Sequence, residues 1–73
     1  MSALSGTSVI YMANQIAVFF ESQGDHAQAV AGVADHIHTF WNPAMIRELL
    51  ALVDAHDDAE LRPVAREAVE ALR

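Results

Sequence analysis

The sequence predicts an all-α fold, a small bundle of about four short helices. Apolar residues recur along most of the chain at the three- and four-residue spacing of a helix face. No run alternates apolar and polar residues with the β-branched enrichment that is typical of strands. Proline and glycine separate the periodic segments. The 73 residues therefore fit a single helical domain, 1–73, in which residues 1–7 are expected to be frayed.

The first helix is predicted to run to about Gln23. Thr7 or Ser8 can cap its start through a side-chain oxygen. Gly24 is expected to end it, because glycine tolerates a left-handed backbone. The apolar positions of this helix have the i, i+3, i+4, i+7 spacing of one helix face: Val9, Met12, Ala13, Ile16, Phe19 and Phe20.

The second helix is predicted to begin after Asp25, as its N-cap, and to run to about Phe40. Gly32 lies inside this helix, where glycine costs roughly 1 kcal/mol relative to alanine. A glycine there indicates a close approach by a neighbouring helix. The predicted core face comprises Ala27, Val30, Ala31, Ala34, Ile37 and Trp41.

The third and fourth helices are each predicted to start at a proline. Asn42 is a good N-cap and Pro43 suits the first helical position, so the third helix runs from Pro43 to about Ala55. Pro63 plays the same part for the fourth helix. Its predicted core face comprises Val64, Ala65, Ala68, Val69 and Leu72. Residues 56–63, HDDAELRP, are interpreted as a solvated polar turn.

Composition excludes several classes of protein. The net charge is −6, with four arginines and no lysine, and this balance disfavours nucleic-acid and anionic-membrane partners. No apolar stretch approaches the roughly 20 residues of a transmembrane helix, and no signal peptide is visible. The absence of cysteine excludes thiolate metal sites and cysteine nucleophiles. The cytoplasm is the expected compartment.

The polar residues do not predict catalysis, cofactor binding or a metal site. His36 and His38 are two positions apart on a helix, so their side chains point about 200° apart and cannot chelate together. We expect one to be partly buried and the other solvated. The acidic cluster around residues 54–60 lacks the glycine of a calcium loop. No serine has the surroundings of a catalytic nucleophile.

Two pairs of aromatic residues mark the ends of the first two helices. Phe19 and Phe20 close the first helix, and Phe40 and Trp41 close the second. Consecutive helical residues point about 100° apart, so one aromatic of each pair can face the core and the second must lie elsewhere. Two alternatives stay open: the small domain uses all four aromatics internally, or some project outward and anchor a partner, since aromatic residues dominate the centres of interfaces.

Three segments resemble a known family. They are MANQIAVFF at 12–20, ADHIHTFWNPAM at 34–45 and LRPVAREAVEAL at 61–72. They resemble the delta subunits of formate dehydrogenases, which show Met-Ala-Asn-Gln-Ile before Phe-Phe and a Phe-Trp-Asp-Pro-Arg-Met-Arg segment. This chain departs from the second pattern at Asn42, Ala44 and Ile46. The lost arginines remove potential partner contacts, for which Arg47 is a candidate substitute.

The resemblance implies a non-catalytic accessory subunit of a cytoplasmic, NAD-dependent formate dehydrogenase. It implies partners, a large catalytic subunit and through it the diaphorase subunits. The parent complex would carry bis-molybdopterin guanine dinucleotide with molybdenum or tungsten, iron–sulfur clusters, FMN and NAD. The delta subunit itself would bind no cofactor and would bind and stabilise the large subunit.

The candidate interface combines the family segments with the aromatic pairs. Its residues are Met12, Asn14, Gln15, Phe19, Phe20, His36, Phe40, Trp41, Pro43, Met45 and Arg47. Three alternatives stay open. The chain could be a transient maturation factor that aids insertion of the molybdenum cofactor. It could also be an unrelated helical interaction module, such as a regulator, or a self-associating bundle.

Overall fold

The structure, a computed structural model, describes residues 3–73, with side chains from Ser8 onward. This part of the chain forms four helices and no strand, which confirms the all-α prediction. The helices are α1 (Ala3–Glu21), α2 (His26–Phe40), α3 (Pro43–Asp54) and α4 (Pro63–Ala71). None of the helices over residues 3–73 is long and apolar enough to cross a membrane.

Helix α1 starts earlier than the sequence predicts. It begins at Ala3, so the cap predicted at Thr7 or Ser8 is wrong. Alanine and leucine at positions 3 and 4 are strong helix formers, and the one glycine after them costs only about 1 kcal/mol. Of the frayed start expected at 1–7, residues 1 and 2 and the side chains of all seven lie outside the described part of the chain.

The connection between α1 and α2 also differs from its prediction. α1 ends at Glu21, and Gly24 does not adopt a positive φ. A Cβ at Gly24 would overlap Oε1 of Gln28, the atom that accepts a hydrogen bond from the Asp25 backbone N–H at 3.2 Å. Gly24 therefore leaves room for the start of α2 and is not a left-handed end of α1.

The predicted caps of α2 and α3 are confirmed. Asp25 Oδ1 accepts from the Gln28 backbone N–H at 2.8 Å, and the Gln28 side chain bonds back to Asp25. This reciprocal pair is a capping box. Asn42 Oδ1 accepts from the Met45 backbone N–H at 2.9 Å, with Pro43 in the first turn of α3. These bonds span three residues, which is why the sequence alone predicts them.

The core lies where α1, α2 and α4 meet. α1 packs against the other three helices, and α2 also packs against α4. Most of the predicted face of α4 is fully buried, which confirms it: Val64, Ala65, Ala68 and Val69. On α2 the prediction is partly wrong, because Ala27 and Ala31 are exposed whereas Ala29 and Val33 are buried beside Ile37.

Gly32 allows the close helix approach that the sequence predicts. A Cβ placed on it would lie 2.7 Å from Cε1 and 3.0 Å from Cγ of Phe20 in α1. Only a residue without a Cβ lets the Phe20 ring come this close to α2.

We expect Gly32→Ala to lower the free energy of unfolding by up to about 2 kcal/mol, measured by urea denaturation. Alanine gains roughly 1 kcal/mol in helix propensity, but overpacking against a ring costs about 1–3 kcal/mol. Ala31→Gly, at an exposed position of the same helix, is the control, and its loss should equal the propensity difference alone. A Gly32→Ala variant more stable than the native chain would contradict the close approach.

Helix α3 ends in a Schellman motif that the sequence does not predict. His56 has φ 59°, the left-handed conformation that non-glycine residues seldom adopt. Its N–H donates to the Val53 carbonyl at 3.1 Å, and the Asp57 N–H donates to the Leu52 carbonyl at 2.8 Å. This pair of bonds defines the motif, in which glycine is usual.

Because His56 has a positive φ, His56→Gly should raise the melting temperature of the chain. Glycine adopts this conformation without the Cβ penalty, and we expect a gain of about 0.5–1 kcal/mol. The matched control is Asp57→Gly, at the next position, which has no positive φ and should lose stability. A lower melting temperature for His56→Gly would contradict the left-handed end.

The turn between α3 and α4 is tied down by two polar side chains. The structure corrects its interpretation as a solvated turn, because Asp58 is only 6% exposed and pairs with Arg66 of α4. Asn14 of α1 makes the second tie. Its Nδ2 donates to the Glu60 carbonyl at 2.8 Å, and its Oδ1 accepts from the Arg62 N–H at 2.8 Å. Leu61, which lies between Glu60 and Arg62 in the turn, is buried.

Candidate interaction site

Each aromatic pair divides between the inside and the outside of the bundle, as the alternative with outward rings predicts. In α1, Phe20 packs against the core while Phe19 is 58% exposed. At the end of α2, Trp41 packs against the core while Phe40 is 71% exposed. The rings of Phe19 and Phe40 belong to different helices. They are joined into one surface by the rings of Phe20 and His36, which lie between them.

We call this surface the aromatic ridge, made of Phe19, Phe20, His36 and Phe40. Phe19 and Phe20 meet edge to face, with ring centroids 5.1 Å apart and planes at 86°. Phe20 and His36 lie 6.3 Å apart, and His36 and Phe40 lie 4.7 Å apart. These distances fall within or close to the range of favourable aromatic pairs. All three phenylalanines of the chain therefore lie in one row across α1 and α2.

The inner part of the ridge is held in place by the bundle. Phe20 rests against the backbone at Gly32, and His36 is half-buried. The other predicted histidine, His38, is exposed, so the expectation of one partly buried and one solvated histidine is confirmed. Two half-buried residues, Met12 and Ile16, are spaced to lie on the same face of α1 as Phe19 and extend the apolar surface.

Two other predicted interface residues of α1 make contacts within the chain. Asn14 uses both ends of its amide on the α3–α4 turn. Gln15 is exposed, and its Nε2 donates to the Tyr11 hydroxyl at 2.8 Å. The structure gives Asn14 a structural role, while an interface role for these two residues stays a prediction.

The remaining predicted residues lie at the end of α2 and in the first turns of α3, and none of them takes part in the ring contacts of the ridge. Trp41 and Met45 are half-buried and pack against the core. Pro43 and Arg47 are exposed. Their interface role likewise stays a prediction.

Ion pairs within the chain hold two arginines at the start of α4. The Nη2 of Arg62 lies 2.8 Å from Oε1 of Glu21, and this hydrogen bond raises the pKa of Arg62. Arg66 pairs with Asp58 and also donates to the Asp58 carbonyl at 3.0 Å. Both arginines join α4 to another part of the fold.

A third arginine is held at the C-terminal end. Arg73 Nη2 lies 2.5 Å from Asp54 Oδ1, and Arg73 Nε lies 2.9 Å from Glu70 Oε1. The hydrogen bond from Arg73 lowers the pKa of Asp54. Of the four arginines, Arg47 alone makes no ion pair with the residues from Ser8 to Arg73. Three of the four arginines are therefore engaged in ion pairs within the chain.

A shallow cleft of about 410 Å³ lies between the end of α1 and the starts of α2 and α4. Its polar groups have partners within the chain. Glu21 and Arg62 form an ion pair, Asp25 caps α2, and His26 Nε2 lies 2.6 Å from Glu67 Oε2. Over the described residues, no group of three or more histidine, aspartate or glutamate side chains is placed to hold a metal ion.

Sequence reasoning missed two further exposed apolar side chains on α1. Tyr11 is 62% exposed and Val18 is 49% exposed. Both fall outside the predicted apolar face of α1. Their places off that face could have indicated from the sequence that they are exposed. Tyr11 and Phe19 are eight positions apart, so they point about 80° apart around α1 and lie about 12 Å apart along its axis. Tyr11 therefore lies to one side of the ridge, about two turns earlier in the helix, and is outside the ring contacts that define the ridge.

Comparisons with known proteins agree with the family segments of the sequence. Neither the comparison with curated proteins nor that with solved structures found a match. A family model matches residues 8–69. This range includes the whole aromatic ridge and most of the four helices. That family is the NADH-dependent formate dehydrogenase delta subunit, FdsD. The chain belongs to the FdsD family of formate dehydrogenase delta subunits.

Proposed function

We propose that this chain is a non-catalytic accessory subunit that binds and stabilises the large catalytic subunit of an NAD-dependent formate dehydrogenase. The observation that carries the proposal is the family match over residues 8–69. A delta subunit, by its name, acts within a complex of several subunits.

The surface of the chain supports an interaction role. Phe19 and Phe40 expose more than half of their area, and isolated small domains gain nothing from displaying two aligned phenylalanines. By contrast, the strongest polar groups, such as Asn14, Asp58 and Arg66, are engaged in holding the fold. This distribution suits a module that exposes aromatic rings to a partner while these three polar groups hold its fold.

The proposal assigns the redox chemistry to the other subunits of the complex. The catalytic subunit would hold bis-molybdopterin guanine dinucleotide with molybdenum or tungsten and iron–sulfur clusters. Diaphorase subunits would hold FMN and the NAD site. This chain would bind none of these groups, and the complex would function in the cytoplasm.

The experiment that tests the proposal is purification of the complex through a tag on this chain, expressed from its native locus. The eluate is examined for subunit stoichiometry by mass spectrometry, for formate-dependent NAD reduction, and for molybdenum and tungsten content. A deletion strain shows in parallel how much catalytic subunit accumulates without this chain. We expect an active dehydrogenase at near-equal stoichiometry and less catalytic subunit in the deletion strain.

Two other outcomes would redirect the assignment. Recovery of only metal-free catalytic subunit would identify a transient maturation factor that aids cofactor insertion. Recovery of no dehydrogenase subunit, with normal activity in the deletion strain, would reject the proposed function.

A further inference from the structure

The aromatic ridge has the features of a docking surface with no partner within the described chain. Phe40 at 71% and Phe19 at 58% exposure are the outer ends of a continuous row of rings. Interfaces concentrate their binding energy in such aromatic side chains, near the centre of the contact.

The ridge is preorganised for binding. Phe20 is wedged against Gly32, and Phe19 packs edge to face on Phe20. The His36 ring lies 4.7 Å from the Phe40 ring, tilted at 44°, and restricts the position of this last ring. Side chains that are already held in position lose little conformational entropy on binding. More of the free energy from burying them therefore contributes to affinity.

Charge argues against a second copy of this chain as the occupant. Each chain carries a net charge of −6, so pairing through the ridge would bring two strongly acidic bodies together. Three of the four arginines are already paired within the chain and offer little relief.

Charge also indicates what the occupant carries. Asp35 directly precedes His36 on α2 and therefore points about 100° away from it, to one side of the ridge; it is exposed and makes no ion pair with the described residues. The three phenylalanine rings of the ridge bear no charge. A complementary partner surface is therefore apolar at its centre and basic where it faces Asp35.

We infer that the aromatic ridge inserts into an apolar groove of the large catalytic subunit, with a lysine or arginine of that subunit facing Asp35. This inference rests on the proposed function and names the surface of this chain that performs it. The rings of Phe19 and Phe40 enter the groove, while Phe20 and His36 hold them in position.

The test measures binding of the purified chain to the rest of the complex, isolated from the deletion strain, by isothermal titration calorimetry. The ridge variant is Phe19→Gln with Phe40→Gln, since glutamine is polar and a good helix former. We expect its affinity to fall by about 30-fold or more, as for the loss of interface hot spots. The matched control is Tyr11→Gln, an exposed aromatic of α1 about two turns before Phe19 and outside the ring contacts of the ridge, which should bind within about threefold of the native chain.

Asp35 has its own test. Asp35→Arg should weaken binding, and the native affinity should fall with added salt more steeply than that of Asp35→Asn. Circular dichroism confirms that each variant is folded, which is expected because the substituted side chains are exposed.

Each outcome separates this inference from the proposed function. If the native chain binds and the ridge variant binds equally well, the ridge is overturned while the accessory role stands. If the native chain does not bind the dehydrogenase, both fail. If the native chain forms a dimer by sedimentation and the ridge variant is a monomer, the occupant is a second copy and the inference is overturned.

Discussion

Replacing Arg66 with alanine is expected to lower the free energy of unfolding by roughly 2–3 kcal/mol. Its guanidinium pairs with the Asp58 carboxylate, whose side chain is only 9% exposed. The same guanidinium donates to the carbonyls of Asp58 at 3.0 Å and Leu61 at 3.3 Å. The substitution leaves a buried carboxylate and two carbonyls without this donor.

The expected loss is smaller than for a fully buried ion pair because water reaches one side of this one. Arg66 is 43% exposed, so solvent compensates part of the missing interaction. Urea denaturation followed by circular dichroism measures the change. The matched control is Arg47→Ala on α3, which removes an exposed arginine with no ion pair in the described part of the chain and should change stability by less than about 0.5 kcal/mol.

A double-mutant cycle isolates the ion pair itself. In an Asp58→Asn background, Arg66→Ala should cost clearly less than in the native chain, because no buried carboxylate remains. Equal losses from Arg66→Ala and Arg47→Ala would show that the pair does not stabilise the turn.

Replacing Asn14 with alanine is the second large effect, a loss of about 1.5–2 kcal/mol. Its amide satisfies the Glu60 carbonyl and the Arg62 N–H, which lie 46 and 48 residues away in the sequence. Arg62 is the N-cap residue of α4 and makes no side-chain cap of its own. Asn14 therefore fixes the start of α4 from another helix.

The control for Asn14 is its neighbour. Gln15→Ala removes an exposed hydrogen bond to the Tyr11 hydroxyl and should change stability by less than about 0.5 kcal/mol. Thermal denaturation of both variants provides the comparison. Asn14→Asp keeps the acceptor for Arg62 but loses the donor to Glu60, so it should also be less stable than the native chain.

The position of Asn14 in the fold predicts how its replacement affects binding to the dehydrogenase. Because its amide acts within the fold, Asn14→Ala should bind the dehydrogenase normally once the measurement is corrected for the folded fraction. Weakened binding by fully folded Asn14→Ala would place this residue in the interface, as the sequence alone suggested. Losses from Asn14 and Arg66 should not be additive, because both side chains hold the same turn.

Sequence reasoning succeeded where the deciding interactions are local. Asp25 and Asn42 cap helices through bonds to residues three positions away. Pro43 and Pro63 begin helices because their fixed φ suits the first turn. The division of each aromatic pair also follows from the 100° between consecutive residues of a helix. The family segments predicted the family that the comparison found.

Sequence reasoning failed where several arrangements satisfy the same local rules. Helix α2 is rich in alanine on every side, so its periodicity does not select the face of Ala29 and Val33 over that of Ala27 and Ala31. Helices α1 and α4 are distant from most of α2 in the sequence but pack against it. Their packing determines which face of α2 is buried.

By itself, the sequence determined the four helices, most of their ends, and the fact that the two aromatics of each pair would point in different directions. Only the tertiary structure decided that Phe19 and Phe40 belong to one ridge, joined through Phe20 and His36. It alone decided that Asp58, in a charged turn, is buried against Arg66. The physical reason is range: caps and helix geometry act over four residues, whereas packing and ion pairs depend on which distant segments the fold brings together.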